Sequence, residues 1–264
     1  MSTPNEPNLL NSKPDRQKEA DNDLVFSYLT LRTLIGICGI LLPVILFFLT
    51  KKGNGDRSIE PSISDYYYTS NGDVLVVLLS VLGVFLFTYN GYTLKEKMLT
   101  NLAAICALGI AFTPTSTSSA SSKSIHFAIE SGPEWFGIPK HFIFAFLFFA
   151  CVAIMSLHYF PLSDKENKRT KRKMTQKDKR NITYKICGWV ILGCLGTLGL
   201  YFIIEPEFAK DFPVVFVFES IAIWAFGISW LTKGETLWPD PENNYWKRFG
   251  RFFSKKSAAL QTAT

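Results

Sequence analysis

Ser64, Asp65, Tyr67, Asp73, His126, His141 and Glu219 are the residues of this 264-residue chain best suited to chemistry. Two histidines with carboxylates offer ligands for a divalent metal such as zinc, with His126, His141 and Asp65 as the candidate set. The same groups suit proton transfer, and Glu219 suits the coupling of a proton or ion to transport. No HExxH or HxxxH spacing puts two histidines on one helix face, and His126 and His141 stand at opposite ends of a 14-residue interval. A plainer role for the group is an interfacial belt of tyrosines and Trp135, with carboxylates and histidines hydrogen-bonding the loops together.

Positioning these residues falls to long apolar stretches. The chain is 48% hydrophobic with 23 Phe, and its mean hydropathy is +0.15. Its 28 Lys/Arg and 22 Asp/Glu are nearly absent from six segments, at roughly 27–50, 74–94, 98–115, 140–160, 183–204 and 213–232. A helix crossing about 30 Å of hydrocarbon needs about 20 mostly apolar residues. The expected fold is therefore all-α: a polytopic membrane protein with a six-helix transmembrane bundle over 27–232. It is flanked by a disordered cytoplasmic N-tail (1–26) and a cytoplasmic C-tail (233–264). No small-x-small cleavage pattern follows Thr50, which predicts that the first segment is a retained span.

Loop charge gives the orientation. The N-tail with Arg32, the loop carrying Lys95 and Lys97, the segment Lys165 to Lys185 and the C-tail from Lys233 together hold 22 of the 28 Lys and Arg. Lys51, Lys52, Arg57, Lys123, Lys140 and Lys210 make up the other side. Both termini are expected in the cytoplasm, in a bacterial inner membrane, which gathers the first two outer loops and the outer half of the last span on the opposite face. The run 164–180 contains Lys168, Arg169, Lys171, Arg172 and Lys173. Beside a membrane these attract anionic lipid headgroups at about 1 kcal/mol per residue, and nucleic acid is not an expected partner. Nothing in the sequence sets an oligomeric state.

Within the spans, Glu219 lies about 9 Å below the outer end of the sixth, where an ionisable group is costly unless it faces the bundle interior or a wet cavity. Arg32, near the cytoplasmic end of the first, is expected to snorkel. Gly188, Gly193, Gly196 and Gly199 predict close helix packing. All five cysteines fall in apolar stretches, as small core residues.

The stretch Pro61-Ser62-Ile63-Ser64-Asp65-Tyr66-Tyr67-Tyr68-Thr69, followed by Gly72-Asp73 and the span Gly83 to Tyr92, resembles a group of bacterial six-span proteins of unknown function. Trp224 to Glu235 is similar to that group's final span, and the likeness covers most of 28–236. It implies a topology without an activity. The Pro-x-Ile-Ser-Asp pattern also resembles the first outer loop of the damage-regulated autophagy modulator family. Ser64, Asp65 and the two outer histidines resemble part of the ligand set of alkaline ceramidase-like metal hydrolases, although the paired histidines of that family's late span are missing. The expected function is non-enzymatic: binding or sensing a lipid or small molecule in an outward-facing polar pocket. A metal-dependent lipid hydrolase and a proton- or ion-coupled transporter are the alternatives.

Overall fold

A bilayer interior offers backbone N–H and C=O groups no partners, so apolar runs of this length fold as helices that close their bonds internally. The computed structural model describes residues 23–50, 59–91, 93–113, 138–162, 176–204, 206, 212–239 and 250. Six long helices occupy them: α1 (Asp23–Leu49), α2 (Gly72–Thr88), α3 (Leu94–Phe112), α4 (Lys140–Ile154), α5 (Gln176–Ile204) and α6 (Val214–Lys233). A 3-10 turn, Ser64–Tyr68, precedes α2, and α4 runs on through a π turn, Met155–Tyr159. No strand occurs among the described residues.

Four of the helices are long and apolar enough to cross a membrane: Tyr28–Leu49 within α1, Lys140–Tyr159 comprising α4 and its π turn, α5 and α6. Helix α2 is equally apolar but has 17 residues, or about 26 Å. Helix α3 opens on Lys95-Glu96-Lys97, which shortens its apolar part. Each predicted apolar segment has become a helix, with ends shifted by local chemistry. Helix α2 stops at Thr88, short of the expected 94, because the chain turns at Tyr89 to bury that ring. Helix α5 starts at Gln176, because the polar residues before its apolar part are themselves good helix formers.

Each helix packs on its neighbour in sequence, and α6 returns to pack on α1, closing a ring. Leu42, Leu79, Phe148, Phe226 and Trp230 fill its interior. Large apolar side chains face outward, including Val84, Phe146, Ile186 and Trp189. A water-soluble fold keeps patches of this kind small, whereas a hydrocarbon solvent accepts them.

The tightest crossing joins α1 and α6. A Cβ on Gly36 would lie 2.8 Å from the Gly227 carbonyl oxygen, and one on Gly227 would lie 2.8 Å from that of Gly36. Trp224 Nε1 donates to Ile40 O across the same seam at 3.1 Å. The glycines of α5 behave differently from the expectation of close packing. Gly188 abuts the Leu157 side chain, but among the described residues nothing lies within 4 Å of an added Cβ on Gly193, Gly196 or Gly199. Four cysteines are buried and Cys38 is half-buried, all of them free thiols.

Candidate functional site

The segment before α2 is fastened to α6 by its backbone. Phe216 N donates to Pro61 O at 2.9 Å, and Ile63 N donates to Glu219 Oε2 at 2.7 Å. Serine then starts the turn: Ser62 Oγ donates to Asp65 Oδ2 at 2.8 Å and accepts from Asp65 N at 3.1 Å. The turn drives Tyr66 and Tyr67 inward, with exposures of 0% and 2%, and Tyr66 packs against Phe216 with ring centroids 5.8 Å apart. Burial pushes the Tyr66 phenol above its usual range, so it stays neutral at physiological pH. Asn71 Nδ2 donates to Leu49 O at 2.8 Å, tying the far side of the turn to the end of α1.

This anchoring sets Ser64 against α4. Its Oγ lies 2.6 Å from His141 Nε2, while His141 Nδ1 lies 2.8 Å from Thr113 O at the end of α3. A carbonyl oxygen only accepts, so in a neutral ring Nδ1 carries the proton and Nε2 accepts the Ser64 hydroxyl. His141 is 4% exposed, whereas Ser64 and Asp65 are half-buried. The Asp65 charge acts on both His141 and Glu219.

Ser64, His141 and Glu219 line one cavity of ≈ 40 Å³, whose other walls include Leu42, Leu79, Ile110, Phe148, Phe149 and Ile223. A void of that size holds a water or a small polar group. Three polar side chains from the 3-10 turn, α4 and α6 thus meet on an apolar background. Tyr67 packs edge-on against Tyr68, centroids 5.2 Å apart, and does not line the cavity. Asp73 is an exposed residue in the first turn of α2, where a carboxylate complements the helix dipole. His126 and the basic residues Lys168, Arg169, Lys171, Arg172 and Lys173 lie outside the described residues. Both His141 nitrogens are engaged, so ligating zinc would require giving up Ser64 or Thr113. Among the described residues, no group of three or more His, Cys, Asp or Glu is placed to hold a metal.

A second polar cluster, absent from the sequence reading, occupies the opposite end of α6. Arg32, Glu96 and Lys233 are 4%, 2% and 4% exposed. Tyr89 Oη donates to Glu96 Oε1 at 2.7 Å, and Arg32 Nη1 donates to Lys233 O at 3.3 Å. The Arg32 guanidinium lies 4.2 Å from the centre of the Tyr28 ring, and the Lys233 ammonium lies 5.0 Å from that of Phe160. Arg32 therefore does not snorkel: it is enclosed by α1, α6 and two tyrosines. Locally, Glu96 closes the pattern Thr93-Leu94-Lys95-Glu96. It matches a helix-capping box, and Thr93 Oγ1 does accept from Glu96 N at 3.2 Å.

No protein-family model, curated protein or solved structure matches this chain. The resemblances carried by 61–73, 83–92 and 224–235 rest on those residues alone.

Proposed function

We propose that this chain is an inner-membrane protein that spans the bilayer six times with both termini in the cytoplasm. It binds or senses a lipid or small molecule at an outward-facing site. The observation that carries the reading is the convergence of Ser64, His141 and Glu219 on a single cavity whose remaining walls are apolar. Such a site recognises the end of an amphiphile: a small hydrogen-bonding head meets Ser64 and Glu219 beside His141, and its nearest carbons meet Leu42, Leu79, Phe148 and Phe149. The void is smaller than a whole ligand, so it receives an end group, and the half-buried turn at Ser64 and Asp65 is the side of approach.

Loop charge supports the orientation. The exposed Lys95 and Lys97 at the start of α3 suit a headgroup level, and the short α2 can span where the bilayer thins by a few ångströms. On this arrangement the basic run 164–180 lies along the cytoplasmic leaflet and contacts anionic lipid.

Native mass spectrometry of detergent-purified protein tests the binding. Wild-type protein is expected to keep a lipid or small molecule through detergent exchange, and Glu219→Gln to keep at least about tenfold less. That substitution removes the ionisable group while leaving an acceptor for Ile63 N. Equal retention by the two proteins contradicts a role for Glu219 in binding.

A further inference from the structure

The hydrogen bond between Ser64 and His141 has a polarity that matters chemically. Thr113 O holds the proton on Nδ1, leaving the Nε2 lone pair aimed at the Ser64 hydroxyl from 2.6 Å. A hydroxyl, a base within 2.6 to 3.2 Å, and a third group orienting the base are the parts of an activated nucleophile. The base is enclosed while the hydroxyl is half-buried, so a reactant can approach Oγ without wetting the imidazole. Glu219, through Ile63 N, fixes the residue preceding Ser64 and is a positioning residue.

We infer that Ser64 and His141 form a nucleophile–base pair that accepts an acyl group from a lipid-like carboxylic ester. The inference rests on the outward-facing amphiphile site proposed above and adds a substrate class to it. In the first step Ser64 Oγ bonds to the ester carbonyl carbon as its proton passes to His141 Nε2. The carbonyl π pair moves to oxygen and returns as the C–O bond to the alcohol breaks. The departing alkoxide takes the proton from Nε2, leaving an alcohol and acyl-Ser64. Water, deprotonated by the same nitrogen, then attacks the acyl carbon. The bond from the acyl carbon to Oγ breaks, Nε2 returns its proton to Oγ, and the carboxylic acid leaves with the serine restored. The apolar walls suit the first carbons of an aliphatic acyl group, and the space that the alcohol vacates admits the water.

A fluorophosphonate bearing an alkyl chain tests the pair, because it phosphonylates an activated serine with loss of fluoride. With protein purified in detergent micelles, peptide mass spectrometry is expected to find the phosphonyl group on Ser64. It should be lost in Ser64→Ala, slowed about 100-fold or more in His141→Gln, and retained in Ser70→Ala, at an exposed serine. Size-exclusion profiles matching wild type show that each variant is folded. Folded wild-type protein left unmodified at Ser64, or equal rates in wild type and His141→Gln, overturns the inference. If a ligand is retained but Ser64 is unmodified, the acyl-transfer inference falls and the binding reading stands. If Ser64 is modified in protein that retains no ligand, the pair stands and the binding reading falls.

Discussion

Glu96→Ala is expected to lower the stability of the detergent-purified protein by about 3–5 kcal/mol, the cost of stripping one partner from a buried set of charges. Glu96 is 2% exposed, takes the Tyr89 hydroxyl at 2.7 Å, and its charge acts on Lys233 together with those of Arg32, Arg180 and Glu235. Removing it leaves Arg32 and Lys233 enclosed without that carboxylate and deprives Tyr89 of its acceptor. The neighbouring rings then lose their register, because Tyr89 stacks on Tyr28 at 5.6 Å and meets Trp230 edge-on at 4.9 Å. Glu96→Gln keeps an acceptor for Tyr89 and should fall between the alanine variant and wild type. Because the charges act as a unit, adding Lys233→Ala to Glu96→Ala should cost less than the two single losses combined. A thermal-shift series in which Glu96→Ala melts with wild type would show that this cluster does not hold the bundle.

The second large effect belongs to the α1–α6 seam. In Gly227→Val, the new Cβ would meet Gly36 O at 2.8 Å and Ile40 N at 3.1 Å. Backbone atoms cannot rotate away as a side chain end can, so the helices must separate. Overpacking of this kind costs about 1–3 kcal/mol and sometimes more. Separation also strains the Trp224 bond to Ile40 O, and it disturbs the helix that carries Glu219 eight residues earlier, about 12 Å along its axis. Gly193→Ala is the matched control: nothing lies within 4 Å of its added methyl, so its stability should stay within about 0.5 kcal/mol of wild type or rise slightly through helix propensity. Equal melting temperatures for Gly227→Val and Gly193→Ala contradict the packing described for the seam.

Residue type made the helices legible, because an apolar run of about 20 residues has few other ways to satisfy its backbone. Glu219 was legible for the same reason, as an acid in an apolar run. Its partner was not, since Ile63 N is a backbone group 156 residues away and carries no sequence signal. Ser64 and His141 could each be singled out, but their contact spans 77 residues and depends on how α2, α3 and α4 pack. Thr113 O, which settles the imidazole tautomer, is likewise a backbone atom. The Arg32–Glu96–Lys233 cluster was hidden by local explanations. Each residue stands near a helix end, where snorkelling, capping and the positive-inside pattern all account for a charge without a tertiary partner. The glycines erred in the other direction: their spacing in α5 signals packing, yet three of the four have no described residue within 4 Å of an added Cβ.

The proposed orientation puts Ser64 on the outer side of the membrane, at the mouth of the cavity it lines with His141 and Glu219. The direct measurement is labelling of Ser64→Cys by a membrane-impermeant maleimide on intact spheroplasts, with the five native cysteines replaced by alanine. Labelling from outside, slowed by added amphiphile that occupies the site, is the predicted result. Labelling that appears only after the membrane is opened would contradict it.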